Sequence, residues 1–321
     1  MGLYARTGLT VIVSCGVLFT AVLIGRPDAT GTGAGAGAGA GTNAKDERPR
    51  PGPYVALGDS YTSGPKIPRQ SGTPAGCDRS DHNYPAVVAR RLGVAVADFR
   101  DVSCSGATLT DLTAPQKTSN GTNPAQLSAL STRTRLVTLG IGGNDIGFGS
   151  TVTKCVTMGA MYGAIGSGRL FSDDAPCKKQ YVDGGTDEVR RKIRATGREL
   201  SAALAEIERR APKAQVYVVG YPAILPAAGK GCGKELPLAP GDATYLHDKG
   251  QQLNTMLRDQ AEAAGATYVD TYTPSVGHDA CSAENTRWIE PLRPTSPAAA
   301  VHPNAHGEQG MADAVLEAIG N

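Results

Sequence analysis

With 321 residues, 40% of them hydrophobic and 19% charged, the chain has enough apolar side chains for a sizeable core. A net charge of +2, with both signs spread along the sequence, excludes the clustered basic footprint of a nucleic-acid-binding protein. The seven cysteines form no CxxC, so a zinc or dithiol redox site has no support.

Residues 1–30 carry Arg6 and then an apolar run from Leu9 to Ile24, the pattern of an export signal. The run is close to spanning length, so an uncleaved signal-anchor is the alternative. Cys15 lies inside the run and reads as part of it. Residues 31–52 begin with the Gly/Ala repeat GTGAGAGAGAGT and end in charge and proline, which predicts a disordered tether with too little side-chain area to order itself. The folded domain is expected over 53–321. Its six cysteines, behind an export signal, suggest three disulfides in an oxidising compartment, with the pairing left open.

Five short apolar runs predict strands at 54–58 (YVALG), 96–102, 136–141, 215–220 and 267–271. Helical patterns fall between them. NYPAVVARRL covers 83–92. The longest, 186–211, repeats Val189, Ile193, Leu200, Leu204 and Ile207 at helical spacing. A third, 241–265, opens on an Asp242 cap and stops at Gly265, and a fourth closes the chain at 307–319. This alternation predicts an α/β fold: a three-layer α/β/α sandwich around a central parallel sheet of five strands, flavodoxin-like in type. Such sheets bind ligands beyond the carboxyl ends of their strands. Ser60, Gly106 and Asn144 each fall just past one.

Ser60 has two readings. A serine between a strand and a helix is commonly a helix cap, yet Gly58 and Asp59 permit a sharp turn that would present a nucleophile. The G-x-S-x-G elbow of α/β-hydrolases is missing here. GDSYTSG (58–64), however, resembles the first block of the GDSL, or SGNH, hydrolases. SCSGAT (103–108), GIGGNDIGF (140–148) and VHPNAHG (301–307) resemble their later blocks, in family order. GYPAILP, LPLAPGD, GHDAC and RWIEPL are similar to segments of the secreted actinomycete lipases and esterases.

That resemblance implies a serine esterase or lipase needing no cofactor and no metal. Ser60 would be the nucleophile and His302 the base. The backbone N–H groups of Ser60 and Gly106 and the Asn144 amide would form the oxyanion hole. It further implies the disulfides Cys77–Cys104, Cys155–Cys177 and Cys232–Cys281. One position departs from the pattern. Many members place an Asp three residues before the histidine, and here that residue is Ala299. A Ser60–His302 dyad is therefore expected, with the backbone carbonyl of Ala299 or Ala300 orienting the ring. His306 is a rival base in the same stretch. Asn144 also has a plain reading as a turn residue beside glycine.

The remaining candidates read as structural. GKGCGKE (229–235) lacks the spacing of a phosphate loop. His82, His247 and His278 are scattered, with no HExxH. His278-Asp279 supports the last disulfide, and Trp288 belongs to the core rather than to an acyl pocket. Small residues between Gly147 and Ala164 suggest an open apolar groove. The expected partner is a small-molecule or lipid ester, with transient contact at a lipid surface; a secreted monomer is expected. A carbohydrate acetyl esterase, a phospholipase or an inactive surface-binding module are the alternatives.

Overall fold

The computed structural model describes residues 52–165, 173–226 and 232–320. The expected export signal (1–30) and, except for Gly52, the expected tether (31–52) lie outside the described residues. Five short segments pair into one sheet: β1 (Tyr54–Gly58), β2 (Phe99–Asp101), β3 (Leu136–Gly140), β4 (Gln215–Val219) and β5 (Thr267–Val269). Their order is β5-β4-β3-β1-β2 and every neighbouring pair is parallel.

The principal helices are α1 (Ser60–Ser63), α2 (Tyr84–Arg91), α3 (Phe148–Ile165), α4 (Glu188–Arg210), α5 (Pro240–Ala263) and α6 (Ala305–Ile319). Alternate residues of the central strands feed two cores. Val55, Leu57, Val137 and Leu139 pack with Ile193, Leu200 and Ile207 of α4 and Leu253 and Leu257 of α5. On the other face Tyr54, Ala56, Tyr217 and Val219 pack with Tyr84 and Val88 of α2 and Met311 and Val315 of α6. Period-two alternation in strands buried on both sides produces the three layers that the sequence predicts.

The strand order also locates the site. After β1 the chain goes to one side for β2, then crosses to the other for β3, so a crevice opens between the carboxyl ends of β1 and β3. Gly58 and Gly140 end their strands side by side, and the Asp59 N–H donates to the Gly140 carbonyl at 2.9 Å. The loops leaving β1 and β3 therefore meet at this edge.

Several boundaries differ from the sequence reading. The second strand is only Phe99–Asp101; Val96–Asp98 form a 3₁₀ turn, and Val96, 94% exposed, does not reach the core. The strands read at 136–141, 215–220 and 267–271 stop at Gly140, Val219 and Val269. Asp242 is not the cap of α5. That helix starts at Pro240, and the buried Asp242 carboxylate instead accepts the N–H groups of Cys177 and Lys178 at 3.0 and 2.8 Å. The glycine-rich stretch after Gly147 forms the 18-residue helix α3. Gly159 serves packing there: a Cβ would lie 2.3 Å from the Pro237 carbonyl oxygen, so only glycine lets that segment cross the helix.

Three disulfides link Cys77 to Cys104, Cys155 to Cys177 and Cys232 to Cys281. The first two are fully buried, whereas Cys232 and Cys281 are partly exposed. Mild reduction should therefore open Cys232–Cys281 first. Mass spectrometry after alkylation should find label at those two cysteines. The protein should lose about 2–5 kcal/mol of stability as read by chemical denaturation. Equal labelling of all six would contradict this order.

Candidate active site

The turn after β1 depends on glycine. Gly58 has φ 153°, and a Cβ there would stand 2.2 Å from Thr62 Oγ1 and 2.5 Å from the Gly140 carbonyl. Asp59, not Ser60, caps α1: its Oδ1 accepts the Tyr61 N–H at 2.9 Å. Ser60 is the first helical residue, and its hydroxyl is released from capping. It meets the imidazole of His302, with Oγ 2.8 Å from Nε2 across 242 residues of chain.

The other ring nitrogen fixes the tautomer. His302 Nδ1 lies 2.8 Å from the Ala300 carbonyl oxygen, so Nδ1 carries the proton and Nε2 is the acceptor. Of the two expected carbonyls it is Ala300 that orients the ring; the Ala299 carbonyl takes the His302 backbone N–H. Between them Val301 is held at φ 59°, a left-handed conformation that a β-branched residue adopts only under constraint. The constraints are visible. The Tyr61 hydroxyl donates to the Val301 carbonyl at 2.6 Å, and the Val301 N–H donates to the Glu290 carbonyl at 2.9 Å. The Tyr61 ring also packs on the imidazole with centroids 4.9 Å apart.

Glu290 and Asn304 hold the far side of the loop. The fully buried Glu290 carboxylate accepts Asn304 Nδ2 at 2.7 Å and the Thr295 N–H at 2.9 Å. Burial pushes the Glu290 carboxyl up, but these donors and the nearby Arg287 charge hold it below the ordinary value, so it stays ionised. Asn304 Oδ1 in turn caps α6 through the N–H groups of His306 and Gly307. His306 itself is exposed on that first turn, and it is His302 that reaches Ser60. Burial lowers the affinity of His302 for a second proton; the Ala300 bond opposes this, and the Lys66 charge adds to the lowering.

Asn144 follows β3 and lines the crevice beside Ser60 and His302. One proton of its amide goes to the Ala107 carbonyl at 2.9 Å, which leaves the second for a ligand. Gly106 is in the left-handed region, φ 78°, on a segment tied to Gly58 through the Cys104 N–H and to Asn144 through Ala107. It is not among the residues lining the cavity. Among the described residues, the Ser60 and Gly106 N–H groups have no hydrogen-bond acceptor.

A second network, which sequence reasoning missed, ties β1 to the Gly142–Asp145 turn. The Gly143 N–H donates to the Tyr221 hydroxyl at 2.8 Å, and that hydroxyl donates to Asp59 Oδ2 at 2.5 Å. Asp59 is 1% exposed, and burial pushes its carboxyl up to about 7 despite hydrogen bonds from Tyr221 and Tyr61 that lower it. Asp145 accepts the Leu109 N–H at 2.9 Å, which pins the turn to the segment after Gly106.

Beside the Ser60–His302 pair opens a cavity of about 320 Å³, at the small end of ligand sites. Its walls are mainly apolar: Phe148 and Val152 of α3, Leu246 and Leu253 of α5, with Ile224, Leu225 and Leu292. Trp288 does not line it. That half-buried ring stacks on His278 and fills the space over Gly310, outside the apolar clusters of the core, so the core reading is not met either. Asp279, beside it, accepts the Cys281 N–H and so supports the third disulfide. Among the described residues the cluster Cys155, Cys177 and Asp242 has metal-ligand types, but its sulfurs are bonded to each other and its carboxylate to two amides.

Residues 56–309 match the GDSL-like lipase/acylhydrolase family. The chain belongs to that family. It is 43% identical over 269 residues to Lipase 2 of Streptomyces coelicolor, covering 83% of this chain and 85% of that protein. Lipase 1 of the same organism is 31% identical over 257 residues, covering 80% of this chain and 82% of that one. Among solved structures, phospholipase A1 from Streptomyces albidoflavus superposes with a TM-score of 0.66 at 28% identity, covering 83% of this chain and 98% of that one. The extracellular lipase of Streptomyces rimosus gives the same score and identity, covering 83% and 99%. This GDSL hydrolase is thus a carboxylic ester hydrolase acting on small-molecule esters.

The Tyr61 clamp can be tested within the lipase scaffold. Tyr61→Phe should lower kcat for an ester several-fold and up to about ten-fold, the worth of one hydrogen bond, with KM unchanged. An unchanged kcat would show that the loop keeps its conformation without that bond.

Proposed function

We propose that this protein is an exported serine esterase or lipase working through a Ser60–His302 dyad and an acyl-enzyme. The 2.8 Å contact from Ser60 Oγ to His302 Nε2, with Nδ1 occupied by a carbonyl, carries the reading. Ser60 attacks the ester carbonyl while its proton passes to Nε2. The carbonyl oxygen takes up the negative charge and meets the unpaired N–H groups of Ser60 and Gly106 and the free Asn144 amide proton. The imidazolium returns the proton to the leaving alcohol, the C–O bond breaks, and an acyl-Ser60 ester remains. Water then repeats the sequence, releasing the acid and restoring Ser60.

Export rests on the pattern of residues 1–30 and on three disulfides, which persist in oxidising compartments. We place the domain at 53–321 behind a tether at 31–52, and read it as a monomer. The apolar cavity favours a fatty acyl group over acetate, and the likeness to a phospholipase A1 makes phospholipid acyl esters a second substrate class.

On a panel of p-nitrophenyl esters, Ser60→Ala and His302→Ala should each lower kcat/KM by about 10³-fold or more. Asn144→Ala should cost about 10²–10³-fold. Ala300→Ser should stay within about two-fold, because the carbonyl survives the change. A large loss in that variant would remove the backbone role.

Only neutral His302 can accept the Ser60 proton, and its affinity for a second proton is lowered. kcat/KM should therefore hold level from neutral pH downward and begin to fall only below the ordinary imidazole value of about 6.5, then ten-fold per unit. An acid limb centred above 7 would contradict this assignment.

A further inference from the structure

The length of α5 has a use beyond covering the sheet. α5 has 24 residues and the strand before it has 5, so the helix, about 36 Å long, exceeds the strand of about 17 Å by several turns. Asn254 marks the level of the sheet's carboxyl edge. Its side chain grips both the N–H and the carbonyl of Tyr221, at 2.9 and 2.8 Å, and Tyr221 reaches Asp59 next to Ser60. From Asn254 back to His247 the helix rises seven positions, about 10 Å. Leu253, Gly250, Leu246 and His247 along that rise all face the same cavity as Ser60 and His302.

Two details show this wall to be shaped as a path. Gly250 sits inside a helix, where glycine is among the poorest residues, yet a Cβ at this position would meet nothing within 4 Å. Gly149 of α3 also lines the cavity, and it too has open space where a side chain would stand. Neither glycine is required by a close approach or a left-handed turn; what they share is the cavity they leave open. His247 and Tyr272 also line the cavity, with His247 Nε2 3.0 Å from the Tyr272 hydroxyl, a hydrogen-bonded polar pair among mainly apolar walls.

We infer that the face of α5 between Asn254 and His247 receives a medium-length acyl chain of the substrate, that Gly250 keeps this path open, and that the His247–Tyr272 pair closes its end. An extended chain advances about 1.2 Å per bond, judged from the 3.3–3.6 Å that three backbone bonds cover, so 10 Å accommodates about eight carbons. A longer chain must break the polar pair or leave an apolar end against it. This selectivity rests on the reading of Ser60 and His302 as the catalytic dyad.

The test is a ladder of p-nitrophenyl esters from acetate to myristate, with kcat/KM taken on the unmodified protein, Gly250→Leu and His247→Ala. The unmodified enzyme should peak near octanoate. Gly250→Leu, which improves helix propensity and so should fold, should lower the octanoate-to-acetate ratio at least ten-fold by blocking the path. His247→Ala should raise the laurate-to-octanoate ratio about ten-fold. Ratios within two-fold of the unmodified protein in both variants would overturn the inference. Thermal shifts of Ser60→Ala by free fatty acids of the same lengths give a readout without turnover. Shifts that grow to about eight carbons, then level, and vanish in Ser60→Ala/Gly250→Leu would uphold the path even if no ester were cleaved, in which case the dyad alone would fall. Shifts indifferent to Gly250→Leu would overturn the path even if every ester were cleaved.

Discussion

A histidine held by a peptide carbonyl, rather than by a carboxylate, can be aimed only by fixing the backbone on both sides of that carbonyl. This is the constraint on which the site depends. Ala300 points its oxygen at Nδ1 because Val301 turns left-handed, and Val301 stays there because Tyr61 grips its carbonyl while Glu290 grips its amide. Such a conformation costs of order 1–3 kcal/mol for a β-branched residue and persists only where its surroundings over-determine it. Here they do. Tyr61 belongs to the same short helix as Ser60, so the element that presents the hydroxyl also positions the loop that carries the imidazole.

The buried acids divide the remaining work. Asp59 caps α1 and accepts the Tyr221 hydroxyl, which accepts the Gly143 N–H; three segments far apart in sequence are joined by two hydrogen bonds. Since the Gly142–Asp145 turn carries Asn144, the placement of the amide is tied to the placement of the serine. Glu290 does the same for the histidine loop, with enough donors to remain charged in the interior. A carboxylate placed beside the imidazole is absent at position 299, yet two others, set back from it, stiffen what surrounds it.

Much of this was legible in the sequence, for local reasons. YVALG and LVTLG are β-branched or apolar runs closed by glycine, and they form the two strands that frame the crevice. Val189, Ile193, Leu200, Leu204 and Ile207 keep helical spacing and are all buried in α4. The four motif blocks brought Ser60, Asn144 and His302 to one edge. Tyr61, Tyr221 and Glu290 stood inside recognisable motifs without a role, because their value lies in contacts with Val301, Asp59 and Asn304 that spacing does not express. Val96 and Asp242 misled for the opposite reason: local chemistry suggested a strand and a cap, while packing left one exposed and engaged the other with the Cys177–Lys178 backbone. The glycines of α3 masked a helix, since glycine disfavours helices unless a neighbour or a cavity needs the space.

The disulfides are nested neither within nor across one another. They close loops of 27, 22 and 49 residues, each finished before the next begins. On a chain delivered amino end first, every bridge can therefore form from residues already present, with no earlier cysteine waiting for a distant mate. Ser60 arrives early and His302 almost last, so the contact between the two can form only once the final stretch of the chain is in place.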